Sequence, residues 1–396
     1  MKLAAPFRTH ELLALRRAAH ESASGDQWRF VRWIAALTLV TVAACKTAPP
    51  PLPPPGPARP TGDILLQEKS RWVPVAWQDL PGFNVDAQRA AWPALVQGCL
   101  RPSDTWLALC DEVARRAPGS DAEMRDWLMK YFQPYRVESL DGKPGGLITG
   151  YYEPVIEARR VQGGEFRTAL FAPPPDLAAR RPYWTRQQLD SHPPAQSALR
   201  GREIAWVADP LDALVLQIQG SGRLRITEPD GRMQYVRLAY AGHNDHPYRS
   251  VGRWLIEQGE LQPGQASWPA IRDWARRNPS RRDELLWANP RYVFFREEPL
   301  SNPALGPRGA QGVPLTPGRS IAVDPKSVPY GTPVWIDTTE PYSSAPLQRL
   351  VLAQDTGSAI VGAVRADYFW GWEGDAAEQA GRMRQPLRMW VLWPRR

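Results

Sequence analysis

Hydrophobic and polar positions follow two different periods along this chain. Over residues 83–135, apolar residues recur at helical spacing, and Ser120 with Glu123 forms a capping-box pattern before the last helix of that stretch. From Leu147 onward, short alternating runs bounded by glycine and proline predict strands instead. The predicted β runs are residues 147–161, 165–173, 203–209, 213–227 and 233–242.

A second helical pattern interrupts these strands at 250–257 and 268–276, after which β character returns. The order helix, β, helix, β lacks the βαβ alternation of a doubly wound parallel sheet. The pattern predicts a mainly β fold with helical additions, built as a barrel or sandwich. The returning strands are predicted at 291–297, 320–324, 332–337, 350–355 and 387–394.

Length and charge narrow the class of protein. A chain of 396 residues that is 43% hydrophobic can bury a sizeable core and is long enough for two compact domains. The net charge of +8 falls to +5 once the first 44 residues are set aside. Only six of the 49 basic residues are lysine. This weak, arginine-rich excess does not indicate a nucleic-acid partner.

The N-terminal region, residues 1–44, has the pattern of a signal peptide. Arg29 and Arg32 precede an apolar run too short to span a membrane, and the run ends in Val-Ala-Ala-Cys at Cys45. That ending resembles a bacterial lipobox and predicts cleavage before Cys45 and lipidation of its sulfur. An ordinary secreted protein is the alternative.

Residues 45–62 then form a Pro-rich tether. Lys46 occupies the position at which an inner-membrane retention signal would have an aspartate, and this favours the outer membrane. We therefore expect a lipoprotein in the periplasm, anchored to the inner face of the outer membrane.

Two cysteines remain once Cys45 is lipidated. Cys99 and Cys110 are too few and wrongly spaced for a zinc site. An oxidising periplasm would allow them to form a disulfide, and two buried free thiols are the alternative.

Three aspartates carry the candidate chemistry. Asp324 and Asp355 each end a predicted strand, where turn formation is the competing explanation. Asp367 lies beside four aromatic residues, whose surroundings could desolvate its carboxyl group and raise its pKa towards that of a general acid. His243 and His246 lack a third ligand with metal spacing, so neither a metal nor a cofactor is expected. The four aromatic residues are Tyr368, Phe369, Trp370 and Trp372.

Several glycine-anchored segments together resemble the membrane-bound lytic murein transglycosylase A (MltA) family, and the three aspartates resemble its C-terminal 3D domain. The resemblance runs in one order from about residue 70 to 394. Its segments are GYYEPV (150–155), QIQGSGRL (217–224), AYAGHNDHPYRSVGRWLIEQGEL (239–261), NPRYVFF (289–295), GVPLTPGRSIAVDPKSVPYGTPVWI (312–336), AQDTGSAIVG (353–362) and RADYFWG (365–371).

The resemblance implies a double-psi β-barrel of the barwin and expansin type, interrupted by a second, inserted β-barrel domain, with a glycan groove between them. On this basis we expect residues 63–152 to be the helical N-terminal part of the first domain. Residues 153–262 would be the insert, and 263–396 the rest of the first domain with its 3D barrel.

It also implies a mechanism. Asp367 matches the family's catalytic aspartate and Asp355 the assisting one. Asp367 would protonate the bond between MurNAc and GlcNAc and then accept a proton from the MurNAc C6 hydroxyl, leaving a 1,6-anhydro sugar. An ordinary glycosidase needs two carboxyl groups flanking the bond.

Other positions match substrate-binding segments, although turn structure or packing would also explain them. The implied partner is the glycan strand of peptidoglycan, with a lipid anchor in the membrane and other cell-wall enzymes as further partners of a monomer. Two other classes stay open: a non-catalytic, expansin-like peptidoglycan binder and a structural lipoprotein. The binding candidates are Thr149, Gly150, Tyr151, Gln219, Ser221, Asn244, Tyr248, Arg249, Asp324, Tyr368 and Trp370.

Overall fold

The structure is a computed structural model that describes residues 62–395. The predictions for the signal region, for Cys45 and for the tether up to residue 61 lie outside those residues. Within 62–395, no helix combines the length and apolar character needed to cross a bilayer.

The described residues contain ten α-helices. Those near the N-terminus follow the predicted pattern: Ser120 Oγ accepts a hydrogen bond from Glu123 N at 3.1 Å, while the Glu123 carboxylate accepts one from Gly119 N. One half of the capping box is therefore formed. The helices are α1 (Trp92–Gly98), α2 (Leu107–Arg115), α3 (Asp121–Tyr131), α4 (Arg186–Ser191), α5 (Pro193–Leu199), α6 (Pro210–Gln219), α7 (Val251–Glu257), α8 (Trp268–Arg277), α9 (Arg282–Trp287) and α10 (Ala376–Arg382).

The strands form two sheets. The strands are β1 (Leu65–Leu66), β2 (Ser70–Pro74), β3 (Phe132–Ser139), β4 (Gly146–Tyr151), β5 (Val155–Arg159), β6 (Thr168–Phe171), β7 (Glu203–Val207), β8 (Gly222–Thr227), β9 (Met233–His243), β10 (Val293–Pro299), β11 (Ser320–Val323), β12 (Pro333–Thr339), β13 (Pro346–Asp355), β14 (Arg365–Phe369) and β15 (Arg384–Pro394).

The first sheet has the order β1-β2-β3-β15-β12-β13-β11-β14-β4. Because β15 also pairs with β4, six of its strands close into a barrel. Its interior is filled by inward-facing apolar side chains, and helices α1 to α3 cover the outer face of β12, β13 and β15. The core of the barrel includes Ile148, Ile321, Val323, Val334, Ile336, Val351, Ala366, Tyr368, Met389 and Val391.

The second sheet has the order β10-β9-β8-β5-β7-β6 and its own core. It is inserted in sequence between β4 and β11 of the barrel, so the predicted fold class, mainly β with an interrupting β domain, is confirmed. The boundary predicted at residue 262 differs from the sheet membership, because β10 still pairs with β9. Helices α7 to α9 also pack against Leu211 and Leu214 of α6. The chain therefore rejoins the barrel only after Pro299.

The prediction of strand over 213–219 is wrong, because this segment belongs to α6. Asp209 Oδ1 accepts a hydrogen bond from Leu211 N at 2.8 Å, Pro210 opens the first turn, and Gly220 ends the helix at a φ of 80°. The helix is buried on nearly every side, so its sequence has no polar face to reveal a helical period. Residues 132–135, predicted as helical, begin strand β3.

Cys99 and Cys110 are joined by a disulfide. Cys99 caps the C-terminus of α1, and Cys110 lies within α2. The bridge links these two helices across the turn that contains Pro102.

A buried ion network ties the two sheets together. Glu153, fully buried, directly follows Tyr152 where the chain leaves the barrel. Its carboxylate accepts hydrogen bonds from Arg223 Nε at 2.7 Å and from Arg237 Nε at 2.6 Å. Both guanidinium groups also donate to the Leu305 carbonyl, on the segment that returns to the barrel. The Glu153 carboxylate and its two arginines therefore join the segment that leaves the barrel to the segment that returns to it.

We expect Glu153→Gln to lower the free energy of unfolding by about 3–5 kcal/mol, because two buried arginines lose their counter-charge. Urea unfolding of the folded domain measures this. Glu157→Gln is the matched control: it removes the exposed partner of Arg225 on the neighbouring strand and should cost less than about 1 kcal/mol. Equal losses in the two variants would contradict a special role for Glu153.

Candidate active site

Asp355 and Asp367 lie in one row across the barrel. Strand β11 runs between β13 and β14, and its Ala322 is the register partner of Asp355 on one side and of Asp367 on the other. The next strand, β4, places Thr149 beside Asp367. Since register neighbours project from the same face, both carboxyl groups point to one side, separated by the small side chain of Ala322.

A β-bulge makes this alignment possible. The register between β11 and β13 shifts between Ile321 and Ala322, so that Gln354 is the extra residue. Its buried side chain accepts from Ser320 Oγ at 2.6 Å and donates to the Ala94 carbonyl at 2.9 Å. Without the extra residue, Asp355 would face the opposite side of the sheet.

Asp367 is a half-buried carboxyl with a raised pKa. Its Oδ1 accepts a hydrogen bond from Thr149 Oγ1 at 2.5 Å. Burial raises the pKa of Asp367 to about 6, and the negative charge of Asp355 adds to the effect. The Thr149 hydrogen bond and the Arg365 cation oppose it. The group therefore exchanges its proton near neutral pH.

Asp355 is held by more donors. Its Oδ2 accepts from the Tyr151 hydroxyl at 3.0 Å and its Oδ1 from Ala310 N at 2.9 Å, and Thr356 donates a further backbone hydrogen bond. Burial still raises the pKa of Asp355, but all three donors work against that rise. Gly309 is needed here, because a Cβ atom would lie 2.5 Å from the Gln354 carbonyl oxygen.

Tyr151 brings an aromatic ring to the acidic pair, Asp355 and Asp367, and Gly150 accommodates a second ring, that of Trp370. The pKa of the Tyr151 phenol is raised well above its usual value by burial and by both carboxyl groups, and its ring packs 5.2 Å from that of Phe369. At Gly150 a Cβ atom would lie 2.8 Å from Trp370 Nε1, so glycine lets the half-buried indole lie across β4. Thr149 and Tyr151 are thus brought together with Asp355 and Asp367, whereas Trp370 packs 5.0 Å from the inward-facing ring of Tyr368, against the barrel core.

Gln219 and Ser221 lie where the inserted domain approaches the barrel. Gln219 Oε1, at the end of α6, accepts a hydrogen bond from Tyr152 N at 3.1 Å. Ser221 is half-buried between Gly220 and Gly222. Both therefore lie near the segment that follows β4, and the hydrogen bond of Gln219 to Tyr152 also has a structural role.

Tyr368 and Asn244 do not face the site as predicted. The fully buried Tyr368 points into the barrel, where its hydroxyl accepts from Arg349 at 2.7 Å and donates to the Gly318 carbonyl. Asn244 is also fully buried: its side chain donates to the carbonyls of Trp184 and Pro290 and accepts from a backbone amide. Strand alternation turns Tyr368 inward, whereas the side chain of Asn244 is hydrogen-bonded to the backbone of neighbouring loops.

Tyr248 and Arg249 are also not joined to the acidic pair. The Tyr248 side chain is 38% exposed. Arg249 N donates to Asn289 Oδ1. Among the contacts within 62–395, none connects either residue to Asp355 or Asp367.

Asp324 is a structural anion, contrary to the predicted binding role. Its Oδ1 accepts from Lys326 N at 3.1 Å, which is the turn expected as the alternative. Its Oδ2 accepts from Gly362 N at 2.9 Å and from Lys69 Nζ at 3.1 Å. Burial disfavours its charge, but these donors outweigh it and lower the pKa of Asp324.

Sequence reasoning missed Arg365 and Ala310. Arg365 Nη2 donates to Thr149 Oγ1 at 2.8 Å. Because Arg365 precedes Asp367 by two residues in one strand, the period of two could have placed it on the same face. Ala310 acts through its backbone amide, which leaves no signal in the residue type.

This arrangement, two carboxyl groups on one face of a barrel with the pKa of one of them raised to about 6, is typical of enzymes that use acid–base catalysis. Comparison with known proteins identifies the family. The MltA specific insert domain matches residues 147–296, and the 3D domain matches 319–393. Membrane-bound lytic murein transglycosylase A of Escherichia coli (strain K12) is 32% identical over 286 residues, which cover 70% of this chain and 73% of that protein.

Two solved structures are similar as well. The lytic transglycosylase LtgG of Burkholderia pseudomallei is 46% identical, with a TM-score of 0.60 over 86% of this chain and 100% of that one. E. coli MltA with bound chitohexaose is 25% identical, with a TM-score of 0.60 over 86% and 100% of the two chains. The chain belongs to the membrane-bound lytic murein transglycosylase A family.

We expect Asp324→Asn to destabilise the fold by about 1–3 kcal/mol at pH 7, because it breaks the bond network of a buried anion. The folded-state pKa is lowered, so the contribution is present above the ordinary value of about 3.9 and is lost as the pH falls through the folded-state value. The stability gap to the wild type should therefore close in acid. Thermal unfolding at several pH values measures this, with the exposed Asp126→Asn as control. A variant as stable as the wild type at pH 7 would contradict the assignment.

Proposed function

We propose that this protein is a lytic transglycosylase that cleaves the β-1,4 bond between MurNAc and GlcNAc in peptidoglycan and leaves a 1,6-anhydro-MurNAc end. The observation that carries the proposal is the half-buried Asp367, whose pKa is raised to about 6 beside a second, more firmly held carboxyl group. Family membership supports the substrate and the reaction class.

Asp367 acts first as an acid and then as a base. Its protonated carboxyl gives a proton to the oxygen that joins MurNAc C1 to GlcNAc, and the bond from C1 to that oxygen breaks. The resulting carboxylate then takes the proton of the MurNAc C6 hydroxyl as O6 bonds to C1. The proton returns to Asp367, and no water is consumed.

The difference between the two carboxyl groups supports Asp367 as the acid. Asp355 accepts hydrogen bonds from three donors, whereas Asp367 accepts one, from Thr149. Donors to the ionised form favour ionisation. Asp355 therefore retains its negative charge more readily and assists by raising the pKa of Asp367.

The sugar-binding surface is proposed to include the residues around this pair. Tyr151 offers aromatic surface beside the pair, and Gln219 with Ser221 offers polar groups from the inserted domain. Trp370 stays a predicted sugar contact from the adjoining end of the strand. Binding of a glycan strand is supported by the crystal structure of E. coli MltA with bound chitohexaose, and we place the strand between the two domains. We accordingly place the domain boundaries at residue 152 and beyond residue 299.

The N-terminal sequence supports membrane attachment. We propose that residues 1–44 are removed, that Cys45 is lipidated, and that the Pro-rich tether holds the enzyme in the periplasm at the outer membrane. A tether of about 18 residues at roughly 3 Å each would let the enzyme reach peptidoglycan some distance from its anchor.

Asp367→Asn should abolish release of soluble products from purified sacculi, while the wild type releases fragments with anhydro-MurNAc ends. Asparagine keeps the shape of the side chain and cannot give up a proton as an acid. Mass spectrometry of the soluble fraction, using protein that starts after residue 45, measures both. Asp230→Asn, in the exposed turn between β8 and β9, is the matched control and should keep wild-type activity.

Three outcomes would contradict parts of this proposal. Anhydro products at the wild-type rate from a folded Asp367→Asn protein would exclude Asp367 as the acid. Reducing MurNAc ends would mean hydrolysis, which requires a second carboxyl group to activate water. Binding to sacculi without any product from the wild type would favour the expansin-like, non-catalytic alternative.

Cys45→Ala in the full chain should abolish incorporation of radiolabelled palmitate in a Gram-negative host and release the protein from membranes on fractionation. A single sulfur carries the anchor, so no other residue can replace it. Cys99→Ala should retain the label, which separates loss of lipidation from loss of the disulfide. Unchanged labelling of Cys45→Ala would exclude this cysteine as the attachment site.

A further inference from the structure

Asp367 has two carboxyl oxygens, and their surroundings differ. Oδ1 accepts from Thr149 Oγ1 at 2.5 Å, whereas among the hydrogen bonds of the described residues none involves Oδ2. The two proton transfers of the proposed function need one oxygen that is free to reach the sugar. The surroundings of Oδ1 therefore decide which oxygen that is.

Thr149 is constrained by Arg365. Arg365 Nη2 donates to Thr149 Oγ1 at 2.8 Å, and a guanidinium group has no lone pair with which to accept in return. The hydroxyl of Thr149 must therefore direct its single hydrogen elsewhere, and Asp367 Oδ1 lies within hydrogen-bond distance. A chain of two bonds thus runs from Arg365 through Thr149 to Asp367 with a fixed direction.

We propose, on the basis of the lytic mechanism above, that Arg365 and Thr149 are a positioning pair that reserves Oδ2 of Asp367 for both proton transfers. Oδ1 stays an acceptor throughout, so the acidic proton resides on Oδ2 before the bond breaks. The same Oδ2 then receives the proton of the C6 hydroxyl. The carboxyl group need not rotate between the two steps.

The pair also balances the strength of the acid against that of the base. Burial favours the neutral carboxyl, while the Thr149 hydrogen bond and the Arg365 cation favour the anion formed after the first transfer. The other groups that face Asp367 are Asp355, which also favours the neutral form, and the neutral phenol of Tyr151. Ala322, on the intervening strand, contributes no charge.

The pH dependence of kcat/KM for release of anhydro products tests this role, because it reports the pKa of the acid in the free enzyme. For the wild type, activity should fall as the pH rises above about 6, where Asp367 loses its proton. Thr149→Val is nearly isosteric and removes the donor. Its activity limit should shift to higher pH by about 1 unit, and kcat should fall by about 10- to 100-fold as the carboxyl loses its orientation.

Two conservative variants separate this role from structural damage. Thr149→Ser keeps the hydroxyl and should retain the wild-type pH limit, and Arg365→Lys should retain more activity than Arg365→Gln. Because Arg365 acts largely through Thr149, the losses of Thr149→Val and Arg365→Gln should not add in the double variant. Circular dichroism and thermal unfolding establish that each variant is folded.

The proposal would be overturned by a folded Thr149→Val protein with the wild-type pH limit and kcat. A raised KM with an unchanged pH limit would instead mean that Thr149 contacts the sugar. These outcomes are distinct from failure of the proposed function, in which the wild type itself would form no anhydro ends or Asp367→Asn would remain active.

Discussion

The site depends on the buried carboxylate of Glu153. Two arginines of the inserted sheet converge on it, and both also bind a carbonyl on the segment that returns to the barrel. An ion buried this deeply is stable only when its counter-charges and hydrogen bonds are all in place. The network therefore admits few relative placements of the two sheets. Tyr151, which contacts Asp355, lies two residues before Glu153, so the placement of the sheets and that of the acidic pair are linked.

The barrel itself supplies the geometry of the acidic pair. Closed strands have no free edge along which to slip, and their register places Asp355, Ala322, Asp367 and Thr149 in one row. A single bulge at Gln354 brings Asp355 onto the face of Asp367. The bulge is itself stabilised by the buried side-chain bonds of Gln354 to β11 and α1. Small changes of register would separate the two carboxyl groups, which is why rigid strands suit this chemistry.

In the proposed mechanism Asp367 acts as an acid and then as a base, which requires opposing influences on its pKa. Burial alone would favour the protonated form of Asp367 and leave its anion too costly to form. The cation of Arg365, transmitted by Thr149, offsets part of that cost. Asp355 has the opposite effect, because its negative charge favours the neutral form of Asp367, while the donors to Asp355 oppose the rise that burial causes in its own pKa. The pKa of Asp367 thus follows from burial and from three neighbours, Thr149, Arg365 and Asp355, rather than from the residue type.

The sequence by itself determined the mainly β character, the order of helical and β regions and the family, because these depend on local periodicity and on short motifs, and it singled out Asp355 and Asp367 as the candidate pair. It did not reveal helix α6, whose side chains are apolar on nearly every side, nor the inward direction of Tyr368. It also assigned binding roles to Asp324 and Asn244, which the folded chain uses for bracing. Tertiary structure alone decided these points, together with the bulge, the Glu153 network and the bond from Arg365 to Thr149. The bulge, the Glu153 network and the hydrogen bond from Arg365 to Thr149 each join residues that are distant along the chain, and such contacts leave no periodic pattern in the sequence.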